Sequence, residues 1–275
     1  MAGRLHHEHK QTQALIRSLT PPKVKPRKSS YVPAHPFHLE DYYIRQLHRR
    51  IADPLMRITW DALKPVVMAY RAPSERADDD DPFITAIGKA RLRFAAQVDV
   101  DAQAQEAIDD TAPKVEAFSL TQQRKALRVL GVDTIGTDLF KVAARKDWTQ
   151  TNVALIRSIP EQFFPDVQRH VISAVHNGMR HETLARKLRE EILPLSRSRS
   201  ALIARDQVSK YNGQLAKYQQ KAVGIETYEW LAVHDRRTRE THLELDGTTQ
   251  RWDNPPAIGH PGEPIQCRCV SIPIL

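Results

Sequence analysis

Between Trp230 and Cys269 the chain gathers the side chains that could do chemistry: His234, Asp235, Arg237, Thr238, His242, Asp246 and, after a Pro/Gly-rich loop, Cys267 and Cys269. Asp235 with His242 nearby offers one reading, a general base and its partner imidazole. No nucleophile-and-base pair stands at a recognisable spacing, and neither G-x-S-x-G nor H-E-x-x-H occurs. The competing reading is structural and is favoured: a buried Asp235 beside arginines fixes a strand-to-helix turn through charge-assisted hydrogen bonds. Cys267 and Cys269 are the only cysteines. A single C-x-C pair is no disulfide framework and fits a reducing cytosol. Its plain role is two small buried hydrophobes in a closing strand.

A second group is basic. Residues 180–221 hold ten Lys/Arg against four acids, with Arg197, Arg199 and Arg205 around a Ser-rich turn. Phosphate-backbone binding needs only such charge, and without a groove-reading motif it would be independent of base sequence. A solvated helix face explains the same residues equally well.

These residues need elements to position them. Ala204, Val208, Tyr211, Leu215, Tyr218 and Ala222 recur at spacings of four and three, a sustained helical seam closed by Gly224. Ile225 to Val233 is rich in β-branched and aromatic residues and reads as a strand. Arg236 to Leu245 reads as a short helix with Asp235 as its cap, residues 247–266 as a loop, and Cys267 to Ile272 as a closing strand paired with Ile225 to Val233. Trp230 should then cover the junction beside His242.

Upstream, Val153, Leu155, Ile156 and Ile159 lead to Pro160, which should stop or restart a helix. Val167, Val171, Ile172 and Val175 stripe the next, which ends at Asn177-Gly178. Leu184, Leu188 and Ile192 make a short helix stopped by Pro194. Helices are also expected over 39–72, with a cap-and-restart at Asp53-Pro54, over 82–98, 99–110, and Leu120 to Leu130, with Gly131 and Gly136 bracketing a turn. The acidic run Asp78 to Asp81 reads as an exposed loop rather than a cation site. Residues 1–38 carry seven Lys/Arg, one acid and five prolines. They form an arm that is extended or disordered alone and suits an acidic partner. The expected division is 1–38 basic arm, 39–146 helical region, 147–224 helical region leading into the module, and 225–275 small α+β module. The fold class is mainly α with that C-terminal α+β module.

With a formal net charge of +8 and 41% hydrophobic residues, the 275-residue chain has material for a sizeable core and a bias toward acidic partners. No apolar run nears the roughly 20 residues that span a bilayer, and the N-terminus lacks a signal-type apolar stretch.

The pattern Trp230, then D-x-R-T-R-x-x-H-x-x-L-D-G from Asp235 to Gly247, then Cys267-Arg268-Cys269, resembles the phage Mu F-like head morphogenesis proteins. So do N-x-x-L-I-x-S-I-P at Asn152 to Pro160 and I-A-R-x-Q at Ile203 to Gln207. The resemblance covers roughly residues 150–275. It implies a minor head protein of a tailed phage, in the capsid interior near the portal vertex. Its partners would be the portal protein, the major capsid or scaffold protein, and packaged DNA. It implies no enzyme, because no residues remain beyond the module to form the toxin domain that related phage modules carry. Trp230, Asp235, Arg237, Thr238, His242, Asp246, Gly247, Cys267 and Cys269 are then expected to hold the fold. The resemblance also implies a zinc site of His242, Cys267 and Cys269, with His234 or His260 fourth. Against it, Arg239 stands where relatives carry the first Cys of C-x-x-C. In addition, i and i+2 side chains of an ideal strand lie about 6–7 Å apart, too far for one zinc. No cofactor is therefore the expectation. The alternatives are a sequence-independent nucleic-acid-binding protein, or a nuclease or ADP-ribosyltransferase.

Overall fold

The structure, a computed structural model, describes residues 26–70, 81–132 and 138–275. Asp78 to Asp80, Gly136 and residues 1–25 of the arm lie outside the described residues. The described chain is mainly α-helical with one small antiparallel sheet near its C-terminus. The helices are α1 (Phe37–Leu47), α2 (Asp53–Ala69), α3 (Asp81–Gln97), α4 (Val100–Val129), α5 (Asp138–His176), α6 (His181–Lys187), α7 (Leu195–Ala222) and the single-turn α8 (Glu240–Leu243). The strands are β1 (Thr227–Leu231), β2 (Thr249–Arg251) and β3 (Val270–Ile274), in the order β2-β1-β3.

α7 is the hub. Its buried face, including Ile203, Ala204, Val208, Tyr211 and Leu215, meets α1, α4 and α5. Trp148 of α5 stacks on Tyr211 with ring centroids 4.6 Å apart. One apolar core runs from Leu39 to Leu215, and a second, smaller one gathers Tyr228, Trp230, Ala232, Trp252, Cys267 and Cys269 under the sheet.

Several boundaries differ from the sequence reading, each for a physical reason. Pro160 does not end a helix: α5 runs through both Pro160 and Pro165. Ile156, Ile159, Phe163, Phe164 and Val167 are all buried along it, and that packing outweighs the hydrogen bonds each proline removes. Asp53 is no cap either. Its N–H reaches back five residues to the His48 carbonyl, and a π-turn over His48–Ala52 joins α1 to α2. This wider turn accommodates a Pro54 that has no N–H to give. The expected helix over 99–110 extends unbroken to Val129, and Asp99 caps it by accepting the Ala102 N–H at 3.0 Å.

In the module, the closing strand starts at Val270 rather than Cys267, so both cysteines precede it in irregular backbone. It pairs with β1 as expected, with Thr227 opposite Ile274 and Leu231 opposite Val270. The loop over 247–266 contains the unexpected β2, paired with the other edge of β1. The end of the basic arm is ordered on the protein itself. Lys28 bridges Ile274 in antiparallel fashion, Arg27 and Leu275 exchange backbone hydrogen bonds of 2.9 and 3.0 Å, and the Lys28 ammonium meets Glu229 at 2.8 Å. Among the described residues no helix is long and apolar enough to cross a membrane.

Candidate functional site: a His/Cys cluster beside an arginine-lined cavity

The turn after β1 is built by the residues that the sequence singled out. Asp246 accepts the Ala232 N–H at 2.7 Å through one carboxylate oxygen and meets His234 Nε2 at 2.9 Å through the other. The Gly247 N–H donates to the Trp230 carbonyl at 2.8 Å, and the Trp230 N–H to the Thr248 carbonyl at 3.0 Å. The Leu245-Asp246-Gly247 turn is thereby fastened to β1 on both sides of Trp230. Asp235 is exposed rather than buried, and it does not cap the short helix. That helix starts at Glu240, with Arg239 at its cap position and no side-chain bond there. Asp235 instead accepts the Arg237 N–H at 2.9 Å and forms a bidentate pair with Arg268, the middle residue of Cys267-Arg268-Cys269. Arg268 and the Arg237 N–H hold its carboxyl well below the usual range. A carboxylate fixed in that way is a poor general base. Thr238 closes the turn, donating its hydroxyl to the Val233 carbonyl.

This turn sets His242 against the cysteines. His242 Nδ1 lies 3.2 Å from Cys269 Sγ and 3.7 Å from Cys267 Sγ, and all three side chains are buried. Trp230, fully buried, stands edge-on to the His242 ring with centroids 5.7 Å apart. Cys267 is pulled down to about 7 by the Cys269 thiol and by the Gly262 N–H, while Cys269 is pushed up in return. Burial, and then Arg239, hold His242 below the ordinary histidine value, so its ring is neutral. A Cys–His nucleophile works as a thiolate with imidazolium. Here Arg239 Nη1, 3.5 Å from Nε2, opposes that charge, so the neutral ring is suited to act as a ligand instead.

The cluster faces a cavity of about 230 Å³, lined among others by Glu40, Arg205, Arg237, Arg239 and Arg268. Glu40 is occupied by His35 at 2.6 Å and Arg268 by Asp235. The sequence candidates for a fourth ligand stand elsewhere: His234 is exposed on Asp246, and His260 Nδ1 sits 2.8 Å from the Tyr228 hydroxyl. The three arginines offered for nucleic acid do not share a face. Arg197 is held by Asp53 at 2.8 Å, Arg199 donates to the Ser158 hydroxyl at 2.8 Å, and Arg205 lines the cavity.

What seats the cysteine loop was missed in the sequence. Asp206, Ser209 and Gly213 lie on one face of α7, at spacings of three and four. Asp206 accepts the Gln266 N–H at 2.8 Å, Ser209 donates to the Cys267 carbonyl, and Gly213 lets the backbone of Pro261 and Gly262 come into contact. A β-carbon on Gly213 would stand 2.4 Å from the Pro261 carbonyl oxygen. Gly213→Ala should therefore cost about 1–3 kcal/mol, read as a lower urea midpoint, and should expose the 259–267 loop to protease. An unchanged midpoint would mean that the loop does not rest on α7.

His260 gives a pH prediction. Burial and Lys217 lower its pKa, and its Nε2 is buried without a partner. The unfolded chain takes up the proton first as pH falls, so stability is present above the ordinary value near 6.5 and is lost below it. Melting temperature should drop from pH 7 to pH 5, and His260→Asn should flatten that drop. An equally steep drop in the variant would assign the effect to other groups.

Residues 165–272 match the family model described as Phage Mu protein F like protein. Over these residues the chain is similar to the phage Mu F-like family. The matched segment takes in the end of α5, all of α7, most of the sheet and the His/Cys cluster. A Haemophilus influenzae protein named only as uncharacterized is 41% identical over 128 residues, 46% of this chain and 28% of its own length. The NAD(+)--arginine ADP-ribosyltransferase EFV of Enterococcus faecalis is 27% identical over 130 residues, 42% of this chain and 26% of its own length. The chain thus spans about a quarter of either relative. No solved structure matches significantly.

Proposed function

We propose that the protein is a minor head protein of a tailed phage that sits at the portal vertex inside the capsid and acts in head assembly, with a part in genome packaging or ejection. The observation that carries this reading is the Mu F-like match over residues 165–272. The fold is consistent with it: within that segment the cysteine loop is fastened to α7 by Asp206 and Ser209. The portal protein and the major capsid or scaffold protein are its partners in this reading, and the basic arm is a candidate docking segment. The transferase activity of the Enterococcus protein is not carried over, since only 26% of that protein is shared. The nucleic-acid reading draws less support, because Arg197, Arg199 and Arg205 are directed to three different surroundings. Quantitative mass spectrometry of purified particles tests the proposal. The protein should be present at low copy number beside the portal, and particles that contain the portal without it would overturn the reading.

A further inference from the structure

We infer that His242, Cys267 and Cys269 hold one zinc ion through Nδ1 and the two sulfurs, and that its fourth position opens on the arginine-lined cavity and takes an anion. This is independent of any role in the capsid.

Geometry is the first support. The three donor atoms lie within 4.8 Å of one another. Ligands about 2.0 Å (nitrogen) and 2.3 Å (sulfur) from a tetrahedral zinc stand roughly 3.5 Å apart, and the Nδ1–sulfur distances of 3.2 and 3.7 Å bracket that value. The spacing objection from the sequence fails, because the cysteines stand before β3 and not in it. Outside the strand, the i and i+2 sulfurs come within 4.8 Å of each other, closer than the spacing of an extended strand.

The chemistry of the donors is the second. Two thiols and a neutral imidazole are soft and borderline ligands that favour zinc over magnesium or calcium. The Gly262 N–H points at Cys267 Sγ at 3.4 Å. The Trp230 indole N–H is buried with no hydrogen-bond partner, in the same small core as Cys269. Such N–H groups around metal-bound sulfur are the outer contacts that orient and tune a site.

The cavity is the third. It is lined by all three donor residues together with Arg205, Arg237 and Arg239. Neither His234 nor His260 completes the set. Three protein ligands with an open fourth position beside guanidinium groups suit a bound anion rather than a closed structural site.

The test uses the full chain. Elemental analysis should give one zinc per chain, and replacement by cobalt(II) should give the intense visible bands of a tetrahedral ion with sulfur-to-metal charge transfer. On the folded wild type, the cysteines should react with a thiol reagent only after chelation. This readout does not require the Cys267→Ser and Cys269→Ser variants, which should lose the metal, to fold. Inorganic phosphate should shift the cobalt bands, and Arg239→Gln should keep the metal while requiring several-fold more phosphate for the same shift. Protein that carries no zinc and develops no cobalt bands overturns the site. A bound metal whose spectrum ignores phosphate overturns the open fourth position.

Discussion

Trp230→Ala should destabilise the C-terminal module by about 3–5 kcal/mol, the range for removing a fully buried large aromatic. Trp230 has no exposed surface and is the more deeply buried of the two tryptophans in the small core under the sheet, among Tyr228, Trp252 and both cysteines. That core is small, so an indole-sized void is a large part of it. Trp230→Phe should recover part of the loss, since a ring remains against His242. Chemical denaturation followed through the remaining tryptophans reads the effect. A loss below about 1 kcal/mol for the alanine variant, the scale of an ordinary surface change, would mean that the module collapses around the void or that Trp230 is not at its centre.

The second large effect is expected far from the sheet. Asn152, fully buried in α5, donates to the Trp148 carbonyl at 2.8 Å and to Gln207 Oε1 at 3.1 Å, and accepts the Tyr43 hydroxyl at 3.0 Å. Gln207 continues the chain to Asp206 at 2.9 Å, and Asp206 takes the Gln266 N–H of the cysteine loop. Asn152→Ala strands the Tyr43 hydroxyl and the Gln207 side-chain oxygen in the interior, at about 1–3 kcal/mol for each. Adding Tyr43→Phe removes one stranded group, so the double variant should be less destabilised than the sum of the singles. Simple additivity would show that the hydroxyl and the amide are not coupled. Because the chain of bonds ends at Gln266, Asn152→Ala should also loosen the loop that carries Cys267. Faster thiol labelling at unchanged pH would report this.

The sequence made some of this legible and hid the rest for definable reasons. The α7 seam from Ala204 to Ala222, the pairing of β1 with β3, and Trp230 beside His242 all follow from apolar periodicity and the order of elements. Pro160 misled because local propensity cannot weigh the packing of Phe163 and Phe164 on either side of a missing hydrogen bond. Three-residue β2 has too little periodicity to register. Asp206, Ser209 and Gly213 carry no apolar signal: their spacing of three and four is visible in the sequence, but only the fold shows that the cysteine loop rests on them. Asn152 and Gln207 were conspicuous as residues, but only the fold brings α5 and α7 together and shows that they bond to each other.

The pairing of Lys28 with Ile274 has a consequence for the order of folding. β3 lies at the edge of the sheet with all five residues buried, and the short run around Lys28 pairs with its outer edge. The Lys28–Glu229 ion pair spans 201 residues of chain. A contact of that span closes late, after the helices have condensed from nearby partners. Until it does, an apolar strand presents open backbone groups to any extended chain, a second copy included. The run around Lys28 thus covers a sheet edge that would otherwise invite strand-to-strand association, and a delay in its docking would first show as aggregation.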